Sequence, residues 1–251
     1  MTTALITGCS SGFGLEIARC FLARDWRVIA TMRTPRNDAL PPSERLRVLA
    51  LDVTDPESIR KAVEAAGTID ALVNNAGVGA ASPAELTPMS TVREVFETNT
   101  FGTIAMTQAV LPQFRQRKAG VVVNVTSSVT LKAVPLIAAY RASKAAVNAF
   151  TESMALELEP LGVRVRLVLP GRSLETRFAE NARRHMHGLD HEAYAELVQK
   201  VFARLTDTSS PTTSAQDVAI AVWRAVTDPS SPMRIPAGAD AEELAAEARL
   251  N

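Results

Sequence analysis

Short apolar runs alternate with longer amphipathic segments along most of the chain. The runs are rich in Val, Leu and Ile and lie at residues 3–7, 27–31, 47–51, 71–74, 121–125 and 164–169, with a shorter run at 233–236. Apolar positions at helical spacing predict helices that begin near Gly12, Pro56, Thr91, Phe101 and Ala138, and further helices at 215–226 and 240–248. Because the runs lack polar alternation, they are typical of parallel strands that are buried on both faces.

This alternation predicts an α/β fold with a doubly wound parallel sheet, Rossmann-like, of about seven strands with helices on both faces. Right-handed crossovers bring the carboxyl ends of the strands to one crevice, where such sheets bind their ligands. The chain has 251 residues and lacks a low-complexity linker, so residues 1–251 are predicted to form a single domain. Residues 33–44 contain Pro35, Pro41 and Pro42 and are predicted to form an irregular loop.

Charge and composition exclude several classes of partner. Lys plus Arg (27) equals Asp plus Glu (27), and there is no basic run, so neither nucleic acid nor an anionic membrane surface is expected as a partner. The apolar stretches are strand-sized, and the first strand begins almost at the N-terminus, which predicts a cytoplasmic protein without a membrane span. Cys9 and Cys20 fit a reducing compartment and are not expected to form a disulfide bond.

The first apolar run leads directly into a glycine-rich turn. Residues 8–14 read Gly-Cys-Ser-Ser-Gly-Phe-Gly, and an amphipathic helix follows them. Glycines at Gly8, Gly12 and Gly14 allow a tight turn and a close approach of the backbone to a pyrophosphate, which the positive end of the helix dipole also favours. The turn therefore predicts a dinucleotide site, with an ordinary glycine-rich loop as the alternative.

A tyrosine and a lysine, Tyr140 and Lys144, stand four residues apart. On a helix this spacing places both side chains on one face, so an ammonium would lie beside a phenol whose ordinary pKa is about 10. The positive charge favours the phenolate and predicts a tyrosine that exchanges protons near neutral pH. Taken alone, the pair is weak evidence, and a half-buried tyrosine with a solvated lysine on an amphipathic helix is the commoner explanation.

With these motifs the chain resembles the short-chain dehydrogenase/reductase family. The family's T-G-x-x-x-G-x-G pattern is matched at Thr7, Gly8, Gly12 and Gly14, and its N-N-A-G motif at residues 74–77. Asn99, Ser127, Tyr140 with Lys144, and Pro170-Gly171 follow in the family's order over roughly the first 180 residues.

The resemblance implies a set of four catalytic residues. Tyr140 is the general acid/base, Ser127 orients the substrate oxygen, and Lys144 lowers the pKa of the phenol and binds the nicotinamide ribose. Asn99 holds a water molecule that links Lys144 to solvent. Ser128 is the rival to Ser127, but the thirteen-residue interval to Tyr140 matches Ser127.

The resemblance also implies a nicotinamide dinucleotide cofactor, with Asp52 accepting from the adenine amine. The residues expected to bind the cofactor are Gly8, Ser10, Ser11, Gly12, Phe13, Gly14, Arg33, Asp52, Val53, Asn75, Ala76, Gly77, Tyr140, Lys144, Pro170 and Gly171. Met32 stands where NAD-binding members carry an Asp, and Arg33 follows it with a fixed charge suited to a 2′-phosphate. NADP(H) is therefore the preferred cofactor, with Arg36 as a second cation. NAD(H) stays open as the alternative, with Asp38 or another group at the ribose.

The last third of the chain carries less pattern. Thr176 lies one residue further from Pro170-Gly171 than the family pattern expects, so Ser173 is an alternative contact to the nicotinamide amide. Arg172 and Arg177 face either a cofactor phosphate or an acidic substrate, or are surface charges. Residues 173–212 are predicted to form a mobile helical lid over the substrate, with an apolar stripe formed by Tyr194, Leu197, Val198, Val201 and Phe202. The three histidines of this segment show no zinc-binding pattern, and no metal is expected.

Together these features predict an NADP(H)-dependent oxidoreductase that interconverts a secondary alcohol and a ketone. Its expected substrate is a small-molecule carbonyl or alcohol. An NADP(H)-binding regulatory or redox-sensing protein with little turnover is the alternative. The resemblance further implies a homodimer or homotetramer. The sequence identifies neither the substrate nor the physiological direction.

Overall fold

The computed structural model describes residues 2–36, 38–207 and 209–250, and for residues 249 and 250 it describes the backbone. Seven parallel strands form one sheet in the order β3-β2-β1-β4-β5-β6-β7. The strands are β1 Thr3–Ile6, β2 Arg27–Met32, β3 Leu46–Ala50, β4 Ala71–Asn74, β5 Gly120–Val125, β6 Val163–Pro170 and β7 Arg234–Ala237. Since β1 lies between β2 and β4, the strand order reverses at β1, and this reversal places the ligand crevice at its carboxyl end.

Nine α-helices accompany the sheet in the described part of the chain. They are α1 Gly12–Leu22, α2 Pro56–Ala66, α3 Met89–Phe96, α4 Gly102–Arg117, α5 Ala138–Leu158, α6 Phe178–Ala182, α7 Ala195–Thr206, α8 Ala215–Thr227 and α9 Ala239–Leu250. None of these helices is long and apolar enough to cross a membrane. The predicted α/β architecture with helices on both faces is confirmed.

The core consists of two apolar layers, one on each face of the sheet. Helices α1 and α8 cover one face, and α2, α4 and α5 cover the other. Alternate side chains of β1 enter opposite layers: Ala4 and Ile6 pack under α1 and α8, whereas Leu5 packs under the other helices. A strand that contributes to both layers needs apolar residues at every position, which accounts for its unbroken apolar run.

Three details differ from the sequence predictions. Strand β3 forms the edge of the sheet and leaves Arg47 and Ala50 exposed, so the prediction that this strand is buried on both faces is wrong. Helix α3 begins at Met89, two residues before the predicted start. It continues into α4 through a five-residue π-helical segment, Glu97–Phe101, where the sequence predicted two separate helices. Cys9 and Cys20 are both free, as expected.

Candidate active site

The glycine turn connects the carboxyl end of β1 to the first turn of α1. Gly8 and Gly12 have φ values of 76° and 58°, in the left-handed region that favours glycine. A Cβ on Gly14 would collide with the carbonyl oxygen of Gly8, so Gly14 permits the helix to pack against the turn. The N-cap residue of α1, Ser11, makes no side-chain capping bond, and the amides of the first turn are left to a ligand.

Thr7 and Asn75 join this turn to the loop after β4. The Thr7 hydroxyl accepts hydrogen bonds from the backbone amides of Asn75 at 3.0 Å and Ala76 at 2.9 Å. The side-chain amide of Asn75 donates back to the carbonyl of Thr7 at 2.9 Å. Asn75 was predicted to bind the cofactor, and the structure adds that its amide also fixes the two loops on either side of the crevice.

A cleft of about 1970 Å³ runs along the carboxyl ends of the strands. Most residues predicted for catalysis or cofactor binding line it: Gly8, Ser10, Ser11, Gly12, Phe13, Arg33, Asp52, Val53, Asn75, Ala76, Gly77, Ser127, Tyr140, Lys144, Pro170 and Gly171. Gly14 and Asn99 lie behind the cleft wall, where Asn99 is fully buried. Both therefore lie behind the residues that line the cleft, and the cofactor-binding role of Gly14 stays a prediction.

The end of the cleft beside β2 carries the groups expected at the adenosine. Met32 is buried in the core, and Arg33, the next residue, is exposed and makes no hydrogen bond or ion pair within the described residues. Asp52 accepts hydrogen bonds from the amide and hydroxyl of Thr54 at 2.9 and 2.7 Å. These bonds, and to a lesser degree the charge of Arg33, lower the pKa of Asp52. The carboxylate of Asp52 is thus ionised and oriented before a ligand arrives.

Tyr140, Lys144 and Ser127 meet at the other end of the cleft. Tyr140 and Lys144 lie one turn apart near the start of α5, and both are buried. Ser127 follows β5 and is a hydrogen-bond partner of the Tyr140 phenol. Ser128 also lines the cleft, but it is Ser127 that acts on the pKa of the Tyr140 phenol; its catalytic role stays a prediction.

The acid–base properties of this pair differ from the sequence prediction. Burial raises the pKa of Tyr140 to about 12, although the hydrogen bond with Ser127 acts in the opposite direction. Burial lowers the pKa of Lys144 to about 8. The prediction of a lowered phenol pKa is therefore wrong for the protein without its ligands. Burial destabilises the phenolate by more than the neighbouring groups stabilise it.

Lys144 and Asn99 border the same small space beside Gly77. The Lys144 ammonium donates to the carbonyl of Val125 at 3.1 Å. A Cβ on Gly77 would lie 3.1 Å from Asn99 Oδ1 and 3.3 Å from Lys144 Nζ. The amide of Asn99 is itself fixed, since its Oδ1 accepts from the backbone N–H of Val78 at 2.8 Å and its Nδ2 donates to the Val78 carbonyl at 2.9 Å.

Residues 173–207, called here the cover segment, lie over this cleft. Its hydroxyls Ser173 Oγ and Thr176 Oγ1 are buried and have no hydrogen-bond partner among the described residues. Thr176 approaches the glycine turn, 3.3 Å from where a Cβ on Gly12 would stand. Two unpartnered hydroxyls that line the cleft, one of them beside the glycine turn, and the open amides of α1 fit a dinucleotide, whose polar groups would satisfy them.

The two arginines near this turn are engaged with protein atoms. The guanidinium of Arg172 donates to the carbonyls of Arg204, Leu205 and Asp207 at 2.7–2.9 Å, at the carboxyl end of α7. Arg177 pairs with Glu180 at 2.9 Å on the surface. Arg172 thus fastens the cover segment to the end of β6, a role that the sequence did not indicate.

The apolar stripe predicted for the cover segment is only partly directed at the cleft. Leu197 and Val201 line it, whereas Tyr194, Val198 and Phe202 do not. The hydroxyl of Tyr194 instead donates to Glu85 at 2.6 Å. The segment is also held by a short parallel bridge between Ala81 and Met186.

Sequence reasoning missed one close neighbour of the catalytic pair. The ring of Phe178, in α6, lies 5.5 Å from the ring of Tyr140, centroid to centroid. No local pattern could reveal this contact, since the two residues are far apart in the chain and α6 has only five residues. No group of metal-ligating side chains is found among the described residues, including the histidines of the cover segment.

Comparisons with known proteins agree with this geometry. The family model described as short chain dehydrogenase matches residues 2–187. The chain belongs to this family. It is 36% identical over 236 residues to the uncharacterized oxidoreductase YusZ of Bacillus subtilis (strain 168), which covers 89% of this chain and 84% of that protein. It is therefore an oxidoreductase of the short-chain type with a nicotinamide cofactor.

Solved structures support the same placement. A short-chain dehydrogenase from Streptomyces avermitilis superimposes with a TM-score of 0.86 at 32% identity, covering 98% of this chain and 91% of that one. A short chain dehydrogenase from Burkholderia cenocepacia J2315, solved in complex with NADP, has a TM-score of 0.80 at 28% identity and covers 100% of this chain and 93% of that one.

Proposed function

We propose that the protein interconverts a secondary alcohol and a ketone with NADP(H) as its cofactor. The observation that carries the proposal is the meeting of Ser127, Tyr140 and Lys144 in the cleft that begins at the glycine turn. When bound, the cofactor supplies or accepts the hydride, and the protein supplies the proton and the orientation. The open amides of α1 and the unpartnered hydroxyls of Ser173 and Thr176 are the groups that would hold it.

In the reductive direction, Tyr140 gives its proton to the substrate oxygen while Ser127 orients that oxygen by a hydrogen bond. A phenol with a pKa of about 12 is a weak proton donor at neutral pH, so its conjugate base needs support. Lys144 provides this support as an ammonium one helical turn away, and its pKa of about 8 leaves it mainly charged at pH 7.

The proton that Tyr140 gives up is replaced through Lys144. Lys144 Nζ and Asn99 Oδ1 border the same space beside Gly77, and a water molecule there would accept from the ammonium and donate to the amide oxygen. The fixed orientation of Asn99, held by Val78, keeps this acceptor directed at Lys144. In this scheme Asn99 is a positioning residue for the proton route.

The preference for NADP(H) follows from the cationic group at the end of β2. Arg33 lines the cleft and makes no hydrogen bond or close ion pair within the described residues, so its planar donors are free to bind a 2′-phosphate. The NADP complex of the relative from Burkholderia cenocepacia supports the same choice. NAD(H) is the alternative cofactor, and a comparison of the two cofactors would have to exclude a preference for it.

The proposal includes the organisation of the molecule. Residues 1–251 act as one cofactor-binding and catalytic domain, and residues 173–212 act as a mobile lid over the substrate. The protein works in the cytoplasm as a homodimer or homotetramer.

The test is a panel of ketones assayed with NADPH and NADH by the absorbance of the reduced nicotinamide. Tyr140→Phe should lower kcat by about 10² or more, since it removes a positioned proton donor, while the dissociation constant for NADPH stays within a few-fold. The chain has two tyrosines, and Tyr194→Phe is the matched control, which loses a hydroxyl outside the cleft. Binding of NADPH without turnover of any ketone would favour the regulatory alternative, and full activity of Tyr140→Phe would refute the assignment of the acid.

A further inference from the structure

Several exposed apolar side chains line the cleft. Among the described residues, eight large hydrophobic side chains are substantially exposed to solvent, and four of them line this cleft: Val134, Leu174, Phe178 and Leu205, which are 36–50% exposed. They come from four separate segments, namely the loop after β5, the loop after β6, α6 and α7. Four exposed apolar side chains that line one cleft favour a binding surface, because exposed apolar residues that stand singly elsewhere are ordinary.

Phe178 connects this surface to the reacting group. Its ring lies 5.5 Å from the Tyr140 ring, centroid to centroid, and its edge packs against Gly79 so closely that a Cβ there would stand 2.8 Å from two ring carbons. A ketone whose oxygen reaches Tyr140 therefore comes within reach of the Phe178 ring. Leu174, Leu205 and Val134 lie along the same cleft, where a longer substituent would extend.

We propose that Phe178, Leu174, Leu205 and Val134 form the binding surface for an extended apolar substituent of the substrate, with Phe178 as the specificity-determining residue beside Tyr140. The inference rests on the proposed function, since it assumes that a carbonyl oxygen is held at Tyr140. It assigns the substrate to the class of ketones and secondary alcohols that carry an extended apolar substituent. Small polar ketones would leave these four side chains in water and gain nothing from them.

Binding to the cofactor-loaded protein tests the surface independently of turnover. The ligands are 2-butanone, 2-hexanone, 2-octanone and 2-decanone, titrated by calorimetry in the presence of oxidised cofactor, with which a ketone cannot react. Each added pair of methylenes should lower the dissociation constant by roughly tenfold until the chain passes Leu174 and Leu205, as the burial of two CH₂ groups requires. Equal affinity along the series would overturn the proposal.

Two kinds of variant test which side chains cause the dependence of affinity on chain length. Leu174→Ser with Leu205→Ser replaces side chains that are about half exposed, so the fold should survive, and the gain per pair of methylenes should shrink to about threefold or less. Phe178→Ala should weaken the binding of 2-hexanone and longer ketones alike by about tenfold, and Phe178→Leu should restore most of it. Ile220→Ala, which removes an exposed apolar side chain on α8 outside the cleft, is the control and should leave the series unchanged.

The two hypotheses fail in different ways. If the ketones bind with the predicted dependence on chain length but none is reduced, the proposed function fails and the binding surface stands. If small polar ketones are reduced as efficiently as 2-decanone and bind as tightly, the proposed function stands and the binding surface is refuted. A parent-like series in the Leu174→Ser, Leu205→Ser variant also refutes it.

Discussion

The buried charge of Lys144 should lower the stability of the ligand-free protein at neutral pH, and this effect should disappear at alkaline pH. The side chain is buried, and burial lowers its pKa from the ordinary 10.5 to about 8. Replacement by Met keeps most of the apolar stem and removes the charge. We therefore expect the stability of Lys144→Met minus that of the parent to be highest below about pH 8 and to fall between about pH 8 and 10.5.

The sign follows from proton binding in the two states. Below about pH 8, Lys144 is charged in both the folded and the unfolded chain, and the folded chain carries the cost of a buried charge. Between about pH 8 and 10.5 the folded chain loses this proton while the unfolded chain keeps it, so the stability of the parent rises with pH in this window. A pKa difference between 8 and 10.5 corresponds to about 3 kcal/mol.

A second contribution is independent of pH and opposes the first. The ammonium donates a hydrogen bond to the carbonyl of Val125, and the variant leaves this carbonyl without that donor at a cost of about 1–3 kcal/mol. At neutral pH the variant should thus be as stable as the parent or more stable by up to about 2 kcal/mol. At pH 10.5 it should be less stable by about 1–3 kcal/mol, since the advantage from removing the charge has vanished.

Urea unfolding of the ligand-free protein at several pH values measures this difference. The quantity to compare is the stability of the variant minus that of the parent, in which the titration of groups that do not interact with residue 144 cancels. Lys200→Met, which removes an exposed lysine from α7, shows how much of the effect comes from removing any lysine. A difference that stays constant from about pH 7 to about pH 10.5 would refute the argument that burial has shifted Lys144.

Two further predictions concern arginines at opposite ends of the cleft. Arg33→Ala should weaken NADPH binding by about 10- to 100-fold and NADH binding by less than about threefold, since one charge-assisted contact to a phosphate is lost. The measurement is the dissociation constant for each cofactor, and the control is Arg47→Ala, which removes an exposed arginine of β3. An equal loss of affinity for both cofactors would contradict the prediction. A lysine side chain at position 172 cannot reach all three carbonyls at the end of α7. In Arg172→Lys, amide hydrogen exchange in α7 should therefore accelerate by about tenfold or more. The KM for the ketone should rise, and kcat should stay nearly unchanged. Arg177→Lys is the matched control, and unchanged exchange in Arg172→Lys would show that other contacts fasten the segment.

The positions of the motifs could be predicted because each follows a strand. Gly8, Asn75, Ser127 and Gly171 come just after or near the carboxyl ends of β1, β4, β5 and β6. In a parallel sheet these ends meet at one edge, so the order of elements in the sequence already brings the residues together. The exposure of β3 could not be predicted in this way, because its place at the edge depends on the order of strands in space.

The contacts of the cover segment could not be predicted, for a physical reason. Arg172 with the end of α7, Ala81 with Met186 and Tyr140 with Phe178 are contacts between irregular or short elements. Such contacts leave no periodic signal in the sequence, since their partners are selected by packing in three dimensions and not by local spacing. The proposed substrate surface draws Leu174, Phe178 and Leu205 from this segment, and the sequence pattern did not single out these residues.

The state of Tyr140 shows what a spacing argument leaves out. A four-residue interval predicts the distance between two side chains, and hence their mutual attraction, but it gives no measure of their access to water. Burial disfavours the phenolate and the ammonium alike, so it raises the pKa of Tyr140 to about 12 and lowers that of Lys144 to about 8. Between these values both groups are neutral in the ligand-free site, and an ionised tyrosine is not its resting form. Activation of the phenol must therefore come from charges and hydrogen bonds that are completed when the cleft is filled, and the pH dependence of turnover will report on Tyr140, Lys144 and Ser127 as one titrating unit.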